Sequence, residues 1–263
     1  MKRTRVFSLV LCGLVLGAMG SALAFLPREV QAQAAVPPSG TEAAKRGAEI
    51  LAAGAQAAGG DAVKTIESLQ LQASGSANLP TGPLNIVVKV LLAYPDRARV
   101  ETDYGMGSMT NGFDGKSGWV ATPQGNFDVP ADMSAESLRG IDLTGALGVY
   151  KKSLAGKAEA EFVGEQEVEG KQTVLVEWTG PSGKVKLYFD AQTKLLVAAK
   201  YRALTMQGAV EEERRWSDFR EVDGVKFPFR WVTYRDGGLY SDLTLNELKL
   251  NAKIEASAFD KPQ

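Results

Sequence analysis

From residue 84 to residue 92 the apolar side chains fall on every second position: Leu84, Ile86, Val88, Val90 and Leu92 share one phase. A period of two marks a strand with one face turned to a core. Val87 and Leu91 make the opposite face partly apolar. The same period returns at residues 97–101 and 116–121, and after Ala158 it fills most of the chain. Val174, Val176 and Trp178 form one face, Val185, Leu187 and Phe189 another, and Phe227, Phe229 and Trp231 a third. Turn chemistry separates these runs at Gly180-Pro181-Ser182-Gly183, residues 190–193, Gln207-Gly208, Asp223-Gly224 and Asp236-Gly237-Gly238. The charge run Glu211-Glu212-Glu213-Arg214-Arg215 lies between Val210 and Trp216 inside one such strand and reads as a solvated strand edge.

Two stretches follow a helical period instead. Residues 41–58 are alanine-rich, with Ile50 and Leu51 on a slim apolar face, Thr41 as N-cap, Glu42 in the first turn and Gly59-Gly60 as a stop. Asp61 is placed to cap one further turn over residues 62–66. In residues 132–155, Leu138, Ile141, Leu143, Leu147 and Tyr150 recur mostly at threes and fours, but Gly140, Gly145 and Gly148 argue against one continuous helix. The pattern therefore predicts about eleven or twelve strands and two helices, with no internal repeat. So many strands with one apolar face must close or be covered, and two modest helices cannot cover them flat. The expected fold is mainly β with α: a curved, incompletely closed antiparallel β-barrel of about 11 strands, with helices capping an apolar cavity.

The first 34 residues have a different character. Lys2, Arg3 and Arg5 precede an uncharged apolar run that ends in small residues, and Ala22-Leu23-Ala24 fits a signal-peptidase site, with later candidates up to Ala34. Residues 1–34 are thus expected to be a cleaved signal peptide and cleavage region, 35–40 a short linker around Pro37-Pro38, and 41–263 a single domain. An uncleaved inner-membrane anchor is the alternative, because about 20 apolar residues can span a bilayer. Cleavage after Ala24 removes three basic residues and Cys12, the one cysteine, which leaves an exported protein without a disulfide.

Composition then narrows the chemistry. The 263-residue chain has 30 Lys+Arg, 31 Asp+Glu and no histidine. A net charge of −1 argues against a nucleic-acid partner. Without histidine there is no Ser/His/Asp or Cys/His arrangement and no ordinary transition-metal set. Gly105-Met106-Gly107 lacks the spacing and the following Lys-Ser/Thr of a phosphate-cradling loop. The expectation is a protein that is not an enzyme, with no cofactor and no metal.

Three segments carry a likeness to a known family. They are Tyr94-Pro95-Asp96-Arg97-Ala98-Arg99-Val100-Glu101, Phe113-Asp114-Gly115-Lys116-Ser117-Gly118-Trp119, and residues 243–251 with the closing Phe259-Asp260-Lys261-Pro262. In order and spacing they resemble the LolA/LolB-like periplasmic lipoprotein-carrier superfamily, which includes outer-membrane lipoprotein-sorting proteins. Two features depart from its pattern: Val100 where an aromatic usually follows the strand-entry arginine, and the run Gly105-Met106-Gly107-Ser108-Met109. The resemblance implies an unclosed barrel capped by helices, and a noncatalytic carrier or sorting protein that holds acyl chains. Its cargo would be a lipid or an acylated protein, with an inner- or outer-membrane acceptor protein as partner. A monomer is expected. The alternative is an envelope regulatory or protein-interaction module on the same fold, without lipid transport.

The candidate ligand-binding residues follow from the alternation. Ile86, Val88, Val176, Trp178, Leu187, Phe189, Phe229 and Trp231 are candidate cavity walls, although each taken singly also fits ordinary core packing. Met106 and Met109 offer adaptable side chains at a mouth, and residues 105–112 with the helices form a candidate lid. Arg97 and Arg99 point to one side of their strand, toward either a polar cargo group or a carboxylate such as Glu101.

Overall fold

Among the described residues, thirteen strands form one antiparallel sheet that two meanders build. The first comprises β1 (Ser68–Leu79), β2 (Gly82–Ala93), β3 (Arg97–Asp103), β4 (Ser108–Phe113), β5 (Gly118–Thr122) and β6 (Gly125–Val129). The second comprises β7 (Ala160–Val168), β8 (Lys171–Gly180), β9 (Gly183–Asp190), β10 (Leu196–Thr205), β11 (Gly208–Val222), β12 (Val225–Arg235) and β13 (Gly238–Leu250). This computed structural model describes residues 40–205 and 208–262. The expected signal peptide, Cys12, most of the linker and Gln207 lie outside the described residues.

Pairing of β1 with β13 joins the meanders, so the spatial order runs β6-β5-β4-β3-β2-β1-β13-β12-β11-β10-β9-β8-β7. The edges β6 and β7 are not hydrogen-bonded to each other. They are linked in sequence by α3 (Ala131–Leu143), a 3-10 turn (Thr144–Ala146) and α4 (Leu147–Leu154). Helix α3 touches β3, β4 and β5 as well as β10. In a flat sheet β3 and β10 would lie six strand spacings apart, about 29 Å. A helix only ~10–12 Å across reaches both because the sheet curls around it.

Residues that lack bulk set the helix positions. Helix α1 (Thr41–Ala57) buries Ala43, Gly47, Leu51, Gly54 and Ala55 and packs on β7, β8 and α4. A Cβ at Gly47 would stand 2.5 Å from the Ala160 carbonyl oxygen, so this glycine permits the close approach of helix to strand. Its N-cap is Gly40, not Thr41, and makes no side-chain capping bond. Asp61 likewise begins the short α2 (Asp61–Lys64) and pairs with Lys64 at 2.7 Å instead of capping it. The expected interruption of the second helical region falls at Gly145 and Ala146, both in the left-handed region at φ 57° and 61°.

The chain closes across the outside of the sheet. Register puts Arg99, Gly112 and Trp119 side by side on the outward phase of β3, β4 and β5. The C-terminal tail lies over them. Trp119 Nε1 donates to the Phe259 carbonyl at 2.8 Å, Arg99 Nη1 donates to that of Ala258 at 3.2 Å, and Phe259 is buried. Replacing Trp119 with phenylalanine keeps most of the burial but leaves a buried carbonyl unpaired. The expected loss is about 1–3 kcal/mol in urea unfolding, and truncation before Phe259 should remove most of the difference between the two chains.

Candidate ligand-binding cavity

The inward phase of the curled sheet does not pack solid. Between β2–β6, α3 and β10–β13 lies a cavity of about 600 Å³. That is within the ~300–1,000 Å³ range of small-molecule sites. Alternation decides which residues reach it. On β2 they are Ile86, Val88, Val90 and Leu92, and on β3 their register partners Thr102, Val100 and Ala98. Across the cavity, Trp216 of β11 pairs with Trp231 of β12, which pairs with Leu243 of β13. Helix α3 contributes Ile141 and Leu143. Phe127, which lines the cavity, is 55% exposed, whereas Met106 at 85% and Leu239 at 45% are not in its lining.

The wall is not uniformly apolar. Glu212 stands opposite Tyr201 on β10 and Arg235 on β12, and Arg214 follows two positions along β11 on the same face. The Glu212 carboxylate accepts from Tyr201 Oη at 2.6 Å, Arg214 Nε at 2.9 Å and Arg235 Nε at 3.1 Å. Arg139 of α3 lies over the Tyr201 ring at 4.2 Å, pairs with Glu136 and donates to the Ser182 carbonyl at 3.4 Å. Arg235 stacks on Tyr240 at 3.6 Å.

Burial pushes the Tyr201 hydroxyl up, so it stays protonated and donates. Burial would also raise Glu212, but the Arg214 charge, the Tyr201 hydrogen bond and Arg235 hold its pKa down at about 2. Arg214 loses hydration, yet Tyr201 and Glu212 raise its pKa above the ordinary arginine value. At neutral pH the cluster therefore holds fixed charges.

This cluster corrects the expected reading of residues 211–215. β11 is central, between β10 and β12, and Glu212 is only 3% exposed. The run is split by phase: Glu212 and Arg214 face the cavity, while Glu213 and Arg215 pair with each other at 2.6 Å on the outside.

The expected wall residues divide in the same way. Ile86, Val88, Met109 and Trp231 line the cavity together. Val176 and Trp178 of β8, with Leu187 and Phe189 of β9, are buried in the core beneath α1 and α4 and do not reach it. The reason is what covers them, for Gly54 of α1 approaches the Phe189 ring and Lys152 of α4 lies over Trp178. Phe229 sits two positions before Trp231, next to Arg220, outside the cavity lining. Met106 stands at the turn between β3 and β4, and residues 108–113 form β4 and not a loop. Arg97 is half-buried at the start of β3 and does not line the cavity. Arg99 is held outside by Ala258 and by Glu101 at 4.0 Å.

The fold has counterparts among solved structures. A DUF1329 family protein from Desulfovibrio piger superposes with a TM-score of 0.55 at 14% identity, covering 83% of this chain and 97% of that one. A LolA superfamily protein from Nitrosomonas europaea also gives 0.55, at 16% identity over 81% of this chain and 96% of that one. The chain has a LolA-like fold.

A domain from Vibrio parahaemolyticus assigned to outer membrane lipoprotein sorting matches this LolA-like chain at TM-score 0.53 and 13% identity, over 82% and 97% of the two chains. No protein-family model and no curated protein matches the sequence. Among the described residues of the LolA-like chain, no helix is long and apolar enough to cross a membrane.

Proposed function

We propose that the protein is a noncatalytic periplasmic binding or carrier protein for lipids or acylated proteins, which holds acyl chains inside the curl of its sheet, beneath the helices. The carrying observation is the cavity of about 600 Å³ between the two meanders, bounded by apolar residues from strands far apart in sequence. Burial of an acyl chain is worth about 0.8 kcal/mol per methylene, so partial insertion holds a cargo firmly and still allows transfer to a better acceptor. The LolA-like fold and the signal-like N-terminus support the same reading. The partners in this reading are the lipid or acylated cargo and a membrane acceptor protein, and the carrier acts as a monomer.

Native mass spectrometry of the protein purified without detergent tests it. The expected result is added mass matching a phospholipid or an acylated peptide, or uptake of added lipid. A Val88→Trp variant, which fills the cavity from β2, is expected to keep the fold and lose the added mass. An apo mass with no uptake by the unaltered chain would remove the carrier reading and favour a protein-interaction module on the same scaffold.

A further inference from the structure

A wall that held only acyl chains would need no fixed charge, yet this one carries three arginines. Arg139 is 2% exposed and Glu212 3%, whereas the side chains of Arg214 and Arg235 keep 33% and 34% of their surface accessible. Both of these partly accessible side chains line the cavity, and both engage Glu212 through Nε. An arginine has five N–H donors in a rigid fork suited to carboxylate or phosphate. Arg139 is balanced by Glu136, so Arg214, Arg235 and Glu212 together carry one net positive charge. Asp128 does not offset it, because its carboxylate is held by Lys261 of the C-terminal tail at 2.7 Å.

The position of that charge is as informative as its sign. Arg235 is the last residue of β12, next to the Asp236-Gly237 turn. Trp231, four positions back, and Trp216, two positions beyond Arg214, are the next inward residues of the apolar wall. At ~3.3 Å per residue, the arginines and the tryptophan pair are separated by about 7–13 Å along the strands. A charged end near a hairpin and an apolar interior behind it match one kind of molecule, with a head and a tail.

We infer that the cavity selects amphiphiles with an oxyanion head, carboxylate or phosphate, which docks on Arg214 and Arg235 while the aliphatic tail runs past Trp216 and Trp231. This rests on the reading of the cavity as an acyl-chain site and adds the head-group chemistry. The head neutralises the one unbalanced charge of the cluster, and charge-assisted bonds to arginine are stronger than bonds between neutral groups. A neutral or cationic head leaves that charge uncompensated on binding.

The test compares dodecanoate, dodecyl phosphate, dodecan-1-ol and dodecyltrimethylammonium as competitors of N-phenyl-1-naphthylamine fluorescence at pH 7, below their aggregation concentrations. Both anions are expected to bind about tenfold or more tightly than the alcohol, with the cation weakest. The ratio of the two anions then tells a fatty-acid carboxylate from a lipid phosphate. Arg235→Gln is expected to bring the anion-to-alcohol ratio toward one, with its fold checked by circular dichroism. The comparison on the unaltered chain stands even if that variant fails to fold. Equal affinity for anions and alcohol would overturn the head-group inference and leave the acyl-chain reading intact. Failure of every amphiphile to compete would overturn both.

Discussion

Replacing Glu212 with glutamine is expected to destabilise the protein by about 3 kcal/mol at pH 7, with the deficit shrinking in acid. Glutamine keeps the size and can still accept from Tyr201, so the substitution chiefly removes the charge. In the folded chain Glu212 titrates at about 2 against 4.5 for an ordinary glutamate. Folding therefore favours its ionised form. That contribution is complete above about pH 4.5 and is lost as pH falls through about 2, where the native side chain is protonated as well. Arg214 and Arg235 lose their shared carboxylate in the variant, and removal of one partner from a buried ion pair typically costs about 3–5 kcal/mol. Urea unfolding of both chains at pH 7, 5 and 3.5 should show curves far apart at the first two values and closer at the third. A gap below about 0.5 kcal/mol at pH 7 would mean that the two arginines behave as surface pairs.

The same residue shows where sequence reasoning reached the fold and where it stopped. Alternation places β2 because Leu84 to Leu92 occupy one phase, and the Asp223-Gly224 and Asp236-Gly237 pairs mark hairpins whose residues have positive φ. It misses β6, where Asn126, Phe127 and Asp128 are all exposed and no apolar period exists to detect. Residues 108–113, read as part of a lid, are also a strand, so the described residues hold thirteen strands where about eleven or twelve were expected. Residues 211–215 defeat the pattern for a different reason. A run of five charged residues suggests solvent, but Glu212 and Arg214 share the even phase of Val210 and Trp216, which points inward. That parity is visible in the sequence and could have revealed the cluster.

The cavity itself was legible only in part. Strand phase identifies Ile86, Val88 and Trp231 as inward, and equally identifies Val176, Trp178, Leu187 and Phe189. Whether an inward residue meets a helix or a void depends on which strands α1, α3 and α4 cover. That is set by contacts such as Gly47 on Ala160 and Gly54 on Phe189, between segments more than a hundred residues apart. No period within either segment encodes it.

Gly145→Val is expected to lower stability by about 2–5 kcal/mol and to weaken amphiphile binding at the same time. Gly145 has φ 57°, a conformation that costs an ordinary L-residue about 1–2 kcal/mol and a β-branched one more. Its missing side chain is also where the Phe227 ring lies, since a Cβ there would stand 2.1 Å from the ring. Forced overpacking of this kind adds about 1–3 kcal/mol. Phe227 is fully buried on the inward face of β12, and Gly145 joins α3 to α4, so relief of the collision must displace one of the two. Movement of α3 carries Arg139, Ile141 and Leu143 away from the cavity wall. Gly156→Val supplies the comparison, because Gly156 has φ 66° with open space around its would-be Cβ. It should show only the backbone cost, about 2 kcal/mol or slightly more for a β-branched residue, and no change in binding. Phe227→Ala alone is destabilising, but combined with Gly145→Val it should cost less than the sum of the two changes, because the valine then occupies space that the ring has left. Simple additivity in that double-mutant cycle would show that backbone strain alone is responsible, and would remove the ring contact as the device that positions α3 over the cavity.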